Sequence, residues 1–183
     1  EPNPDPQMAQ VSRLAGVAVH RVLEEFALEA EPEVELARQI ARLPEIVDAQ
    51  AGEAIREAAV LRATEILGHF GEGPLFKRFA EISTSVVARE LDVWAPGQQE
   101  EPSAPVGFTA GTIDLLYRDP HHGGWIVADY KTDRLESQEA LEIRAEAYRR
   151  QGEVYVGAVQ AALDLPEAPR FELWFLSSGR IVQ

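Results

Sequence analysis

The first half of the chain carries hydrophobic residues at helical spacing. Runs rich in Ala, Glu and Arg place apolar residues three and four positions apart, which is typical of amphipathic helices. Pro44 separates two of these runs, and the Gly-Glu-Gly-Pro segment at 71–74 ends the third. The helices predicted in this half are 11–30, 33–42, 48–69 and Phe76–Ile82.

The second half alternates between strand-like runs and one long helical run. Segments rich in Val, Ile, Leu and aromatic residues, bounded by Gly, Pro and Asp, indicate strands. A helix is predicted from Glu136 to about Leu163, and Ala95–Pro105 reads as a loop. This order predicts the α/β class, with a small central sheet flanked by helices. The predicted strands are Ser85–Trp94, Thr109–Tyr117, Trp125–Lys131 and Arg170–Leu176.

Two aspartates and a lysine lie on a predicted hairpin. Its strands are joined by the turn-forming segment 118–124, Arg-Asp-Pro-His-His-Gly-Gly. Because side chains alternate along a strand, Asp129 and Lys131 share one face. Asp114 joins that face if it lies opposite Val127 or Asp129, whereas a slip of one residue removes it.

These residue types suit phosphodiester hydrolysis. A hard divalent cation neutralises the scissile phosphate and lowers the pKa of a bound water, and carboxylate oxygens are the ligands that Mg²⁺ prefers. Asp114 and Asp129 can supply such ligands. Lys131, roughly 7 Å beyond Asp129 on the same face, can reach the phosphate or the attacking water. The alternative is an ordinary solvated strand face that carries unrelated charges.

The wider pattern resembles a known family. The segment GTIDLL, a turn and then WIVADYKTD are similar to the central motifs of the PD-(D/E)XK nuclease domain at the C-terminus of RecB/AddA-type helicase-nucleases. The resemblance covers most of the chain from about Val11, although 32–83 carries no motif that aligns. It implies a restriction-endonuclease-like fold with a mixed sheet, and catalytic roles for Asp114, Asp129 and Lys131.

The resemblance also implies roles for flanking residues. GVAVHRVLEEF resembles the family helix whose histidine joins the metal shell, which is His20 here, and the backbone carbonyl of Tyr130 would be a further ligand. Glu90 lies in a similar Arg-Glu context and would bind the metal or orient water. Gln151 and Tyr155 match a Q-x-x-x-Y motif that would support the active site or the DNA path.

Each flanking residue also has a plain structural interpretation. A histidine on the inner face of a helix, as at His20, is more often a packing residue. Glu90 on a strand is commonly exposed to solvent. Gln151 and Tyr155 are four positions apart on one helix, where an aromatic stripe is usually core. His121 and His122 lie in the hairpin turn, where solvated polar residues are the rule.

Composition and charge exclude several kinds of site and location for this chain. The 183 residues contain no cysteine, which excludes disulfides, zinc knuckles and the four-cysteine iron–sulfur cluster of some relatives. No run is long and apolar enough to span a membrane and no signal peptide is present, so a cytoplasmic protein is expected. The net charge of −14 is opposite to that of an autonomous DNA binder.

A tethered domain would reconcile this charge with a nuclease. The start at Glu1 without a methionine and the prolines of EPNPDPQ predict a linker over residues 1–10, and a single nuclease domain over 11–183 that is a fragment of a larger helicase-nuclease. Attached helicase domains would then deliver single-stranded DNA. By resemblance, a partner subunit of the AddB/RecC type is expected, in the processing of double-strand breaks.

The expected cofactor is Mg²⁺. Mn²⁺ should also be accepted, because imidazole is a softer ligand than carboxylate. Two alternatives stay open: an inactive nuclease-like scaffold or DNA-end-binding module, and a free-standing PD-(D/E)XK nuclease. Metal-dependent cleavage would separate the first from an active enzyme.

Overall fold

The computed structural model describes residues 5–96, 108–133 and 137–183. It contains six α-helices, a short 3₁₀ helix at Ser83–Ser85 and five strands in these ranges, in the predicted order of a helical first half and a mixed second half. The helices are α1 Pro6–Glu24, α2 Pro32–Ala41, α3 Leu43–Ile46, α4 Glu53–Glu72, α5 Pro74–Glu81 and α6 Gln138–Ala162. The strands are β1 Val86–Pro96, β2 Phe108–Arg118, β3 Trp125–Lys131, β4 Arg170–Phe175 and β5 Arg180–Val182.

The five strands form one sheet in the order β1-β2-β3-β4-β5. β1 and β2 are antiparallel, and so are β2 and β3, which confirms the predicted hairpin. β3 and β4 are neighbours connected through α6, the crossover expected of parallel strands, so the sheet is mixed. The predicted α/β class is confirmed.

Two compact units divide the chain. The first comprises Glu1–Thr84, Tyr130–Arg134 and Trp174–Arg180, and the second comprises Ser85–Asp129, Leu135–Leu173 and Ile181–Gln183. The first unit is built mainly from α1–α5, and the second from β1, β2, most of β3 and α6.

An aromatic cluster forms part of the core of the first unit. Phe26 and Phe70 each meet both Phe76 and Phe79 edge to face, with ring centroids 5.3–6.4 Å apart. Such pairs add roughly 0.5–1.5 kcal/mol each beyond the area they bury. Phe76 and Phe79 lie on the one-sided apolar face of α5, so the cluster anchors this short helix to the rest of the unit.

The core of the second unit lies between α6 and the sheet. Tyr155 and Val159 of α6 pack with a buried group of strand residues, Val93, Ile113, Leu116 and Val127. Gly152 lets α6 approach closely, because a Cβ there would lie 2.4 Å from the ring of Phe171. Gln151 and Tyr155 are therefore held by a helix whose position against β2 and β3 is fixed by packing.

Several element boundaries differ from the predictions. α1 begins at Pro6, where the side chain of Asp5 accepts a hydrogen bond from the Gln7 N–H and proline occupies the first turn. Residues 6–10 are thus helical, whereas the predicted linker included them. The predicted loop lies outside the described residues beyond Pro96. Within the described residues, no helix is long and apolar enough to cross a membrane.

Candidate active site

Three acidic residues lie side by side on adjacent strands of the second unit. The β1–β2 register pairs Arg89 with Leu115 and Leu91 with Ile113. Glu90 and Asp114 lie between these two pairs and are therefore opposite each other. The β2–β3 register ends with Leu115 paired to Ala128, and continuing it by one residue predicts Asp114 opposite Asp129. Neighbouring strands are about 4.8 Å apart. We call Glu90, Asp114 and Asp129 the acidic row.

The members of the acidic row differ in exposure and spacing. Asp114 and Asp129 are buried, with 6% and 3% of their surface exposed, and Glu90 is partly buried. Glu90 and Asp114 each offer a ligand oxygen, and these atoms lie within 4.8 Å of one another. Carboxylates this close repel one another unless a cation neutralises their charge. The donor set of hard oxygens therefore fits a hard divalent cation.

Glu90 has an unusual backbone conformation. Its φ is +47°, in the left-handed region that a non-glycine residue in a strand rarely adopts. The ladder is also irregular nearby, because the register shifts between Val86 and Ala88. Such strained positions persist only where the surrounding structure holds them, and they cluster at functional sites.

Tyr155 lies within the electrostatic field of the acidic row. Burial raises the pKa of the Tyr155 phenol, and the negative charges of Asp129 and Asp114 raise it further, while hydrogen bonds involving Gln151 and the Thr112 backbone act in the opposite direction. The Gln151 amide donates to the phenol oxygen at 2.7 Å. The neutral hydroxyl thus stays beside the carboxylates across the physiological pH range.

Gly111 makes room for this tyrosine, a role that sequence reasoning missed. A Cβ at residue 111 would lie 2.6 Å from Cε1 and 2.8 Å from the hydroxyl oxygen of Tyr155. A glycine inside a strand often marks such a close approach, which was the available signal. Gly111, the first residue of the GTIDLL motif, therefore allows Tyr155 to pack at this position.

Lys131 ends β3, two positions after Asp129, and is partly buried. Alternation along a regular strand predicts that the two side chains share one face. The Lys131 carbonyl accepts a hydrogen bond from the Leu176 N–H at 2.9 Å, which fixes the backbone at this point. The chain has 2 lysines and 15 arginines, so a lysine at position 131 is unusual for this protein.

His20 and Tyr130 meet within the first unit. The imidazole of His20 on α1 lies edge to face with the Tyr130 ring, with centroids 5.9 Å apart. His20 is partly buried and Tyr130 is 3% exposed. Tyr130 lies between Asp129 and Lys131 in β3, so this contact joins α1 to the end of β3.

The histidines of the hairpin turn are exposed and have a structural setting. The backbone N–H groups of His121 and His122 donate to Asp119 Oδ1 at 2.9 and 3.3 Å. These bonds and an ion pair with Arg170 lower the pKa of Asp119, against the effect of its burial. Asp119 therefore stabilises the turn, and His121 and His122 are exposed turn residues, as their plain structural interpretation predicts.

The chain belongs to the PD-(D/E)XK nuclease superfamily, whose family model matches residues 2–182. It is a nuclease domain by this membership, and nucleases of the superfamily typically use divalent metals. The chain is also 29% identical over 174 residues to an ATP-dependent helicase/nuclease subunit of Heliobacterium modesticaldum (strain ATCC 51547 / Ice1). This match covers 90% of the chain but 12% of that relative.

Proposed function

We propose that this domain hydrolyses DNA phosphodiester bonds with a divalent cation, Mg²⁺ or Mn²⁺, held at the acidic row. The observation that carries the proposal is the pair of ligand oxygens on Glu90 and Asp114, within 4.8 Å of each other on adjacent strands, with buried Asp129 on the next strand. Three carboxylates in one row supply hard oxygen ligands and a strong negative field. The bound cation would activate a water and offset charge on the scissile phosphate.

The proposed ligands are Asp114, Asp129 and His20, with the Tyr130 carbonyl as a fourth. This assignment rests on the motifs of the family and on the contact of His20 with Tyr130. Glu90 would complete the row as a ligand or by accepting a hydrogen bond from a metal-bound water. A mixed imidazole and carboxylate set favours ready acceptance of Mn²⁺.

The other residues act on the phosphate and on the water. The Lys131 ammonium donates hydrogen bonds to phosphate oxygens, where negative charge builds up as water attacks phosphorus and the bond to the departing sugar oxygen breaks. Tyr155 keeps its proton at neutral pH, since its pKa is raised, so its hydroxyl can donate a hydrogen bond while it accepts one from Gln151. Gln151 holds the Tyr155 hydroxyl in place.

The proposed substrate is single-stranded DNA delivered by a helicase motor of the same polypeptide, in double-strand-break processing. The similarity to a helicase/nuclease subunit, of which this chain spans about 12%, supports that context. The charge of −14 supports it too, because an acidic domain gains little affinity from phosphates and depends on local concentration. A partner subunit of the AddB/RecC type belongs to the same proposal.

Calorimetry with Mn²⁺ tests the ligand assignment. Asp114→Ala and Asp129→Ala should each lose measurable binding and cleavage while the protein keeps its helical circular dichroism. Asp119→Asn, at a buried aspartate of the hairpin turn, is the matched control and should still bind. Unchanged Mn²⁺ affinity in both Asp114→Ala and Asp129→Ala would reject the site.

A second variant separates ligand from catalyst. Lys131→Ala should keep Mn²⁺ binding and lower single-turnover cleavage by roughly two to three orders of magnitude, as loss of one preorganised electrostatic group does. Lys77→Ala, at the other lysine of the chain, should leave the rate unchanged. Equal losses of Mn²⁺ affinity and rate in Lys131→Ala would mean that Lys131 supports the structure instead.

A further inference from the structure

Two aromatic rings and an arginine follow His20 in a continuous series within the first unit. The His20 ring meets the Tyr130 ring at 5.9 Å with an interplanar angle of 72°. The Tyr130 ring meets the Trp174 ring, also at 5.9 Å, with an angle of 55°. The Arg78 guanidinium lies 5.9 Å from the Trp174 ring centre. The series joins α1, β3, β4 and α5.

The rings behind His20 have little freedom to move. Trp174 is 0% exposed and Tyr130 is 3% exposed, so both side chains are fixed by packing. α1 is also held close to this segment one turn before His20, because a Cβ at Gly16 would lie 3.2 Å from Thr132 Oγ1. The His20 imidazole therefore packs against buried rings that do not move to accommodate it.

We propose that Tyr130 and Trp174 are positioning residues, whose packed rings hold the His20 imidazole in the orientation that binds the cation. The proposal rests on the function proposed above only in taking His20 as a ligand. An edge-to-face contact selects one ring orientation. A ligand ordered before binding loses less conformational entropy when the metal arrives, so it binds more tightly.

Tyr130 then serves the site through two different groups. Its backbone carbonyl is the proposed ligand, and its ring orients a second ligand from another element. Neighbours that orient metal ligands commonly change metal affinity by about 10-fold to 100-fold when they are altered. Metal affinity should thus depend on an aromatic side chain that does not itself contact the metal.

The first test uses proton NMR of the protein without metal. The chain has 4 histidines, and His20→Gln identifies the His20 signals by their disappearance. The Tyr130 ring current should displace the His20 imidazole signals in the wild type and in Tyr130→Phe. Tyr130→Leu should return them to the range of an exposed histidine. His20 signals that do not move in Tyr130→Leu would overturn the proposed contact.

The second test is Mn²⁺ calorimetry on the same variants. Tyr130→Leu should weaken binding about 10-fold, and Tyr130→Phe, which keeps the ring, should stay within about 2-fold of the wild type. Phe79→Leu is the matched control, because it removes a buried ring of the same unit whose edge-to-face contacts are with Phe26 and Phe70. It should lower the urea midpoint without changing Mn²⁺ affinity.

The outcomes distinguish this proposal from the function on which it rests. If His20→Gln binds Mn²⁺ as the wild type does, His20 is not a ligand. If His20→Gln binds weakly but Tyr130→Leu binds normally, the positioning role is wrong and the ligand role stands. Equal weakening in Phe79→Leu would mean that general loosening of the unit is the cause.

Trp174→Phe covers the case in which Tyr130→Leu does not fold. The smaller ring leaves a gap behind Tyr130, so the His20 signals should broaden and Mn²⁺ binding should weaken, though less than expected for Tyr130→Leu. Sharp, unmoved His20 signals together with unchanged Mn²⁺ affinity in Trp174→Phe would overturn the proposal.

Discussion

Glu90 combines an unfavourable backbone with an unfavourable charge. Its left-handed φ of +47° costs of the order of 1 kcal/mol in a non-glycine residue. Its carboxylate also lies within 4.8 Å of a ligand oxygen of buried Asp114, where the two negative charges repel. A residue that served stability alone would be neither left-handed nor acidic here, so we attribute both features to the site.

Replacing Glu90 should therefore separate stability from activity. Glu90→Gly relieves both penalties and should raise the free energy of unfolding by about 1 kcal/mol in the absence of metal, while cleavage falls steeply. Glu90→Gln keeps the strained backbone and removes the charge, so it should lose activity with a smaller gain in stability. Urea denaturation and single-turnover cleavage measure the two effects. Full activity in Glu90→Gly would exclude a role for this carboxylate.

At the residue scale, a prediction from sequence is strongest where alternation along one strand decides the geometry. The period of two in β3 placed Asp129 and Lys131 on one face without knowledge of other elements. The position of Asp114 stayed conditional, because it depends on the register between two strands. The left-handed φ of Glu90 had no sequence signal, since Glu is not a residue that favours that region.

At the scale of elements, the approach of α6 to β2 determines where Tyr155 lies. Gly111 on β2 leaves just enough room for the Tyr155 ring, and the phenol is then close enough for Asp114 and Asp129 to raise its pKa. Residues 111 and 155 are far apart in sequence and meet only when the helix packs on the sheet. The sequence alone therefore indicated the Gln151–Tyr155 pair on α6 but not its glycine partner.

Gly111→Ala tests this packing. Its Cβ would overlap the buried Tyr155 ring, so the helix or the ring must shift and the Gln151 hydrogen bond should be lost. We expect destabilisation of about 1–3 kcal/mol and a clear loss of cleavage. Gly157→Ala on the same helix faces open space and should stabilise by up to about 1 kcal/mol. Wild-type stability and rate in Gly111→Ala would show that the close approach is unimportant.

The end of α1 is decided by two buried polar residues of α2. Glu35 accepts a hydrogen bond from the Ala27 N–H at 3.0 Å, and the Gln39 amide donates to the Glu25 carbonyl at 3.1 Å. These bonds satisfy backbone groups of the turn after Glu24, where the sequence pattern had predicted helix up to residue 30. Periodicity could not reveal this, because the partners lie on the following helix.

Glu35 should also make stability depend on pH. Hydrogen bonds from Arg38 lower its pKa to about 2 from 4.5, and the Gln39 and Ala27 donors act in the same direction against burial. A lowered folded-state pKa contributes stability above pH 4.5 that is lost as the pH falls towards 2. With half-exposed Arg38 screened by solvent, we expect roughly 2 kcal/mol.

Urea denaturation of wild type and Glu35→Gln between pH 7 and pH 2 measures this contribution. The difference in unfolding free energy should be largest near pH 7 and should shrink below pH 4.5. Glu33→Gln, at another acidic residue in the first turn of α2, is the matched control for removing one carboxylate from this helix. A constant difference between wild type and Glu35→Gln across the range would contradict the assignment.

For the whole molecule, a charge of −14 and a nuclease fold have to be reconciled. Phosphate contacts supply most non-specific affinity for DNA, and this domain has 17 basic against 31 acidic residues. The proposed arrangement places affinity in attached domains and chemistry in this one. Tethering raises the local concentration of DNA without changing the site, so binding and catalysis should be separable.

Single-turnover cleavage of a labelled single-stranded oligonucleotide by the 183-residue domain measures whether the acidic row is a metal-dependent catalytic site. We expect cleavage that requires Mg²⁺ or Mn²⁺, is slow, weakens further as salt is raised, and is absent in Asp129→Ala. Fusion to a helicase portion should raise the rate of the wild type but not of Asp129→Ala. Cleavage that persists without divalent metal, or equal cleavage by Asp129→Ala, would contradict the account.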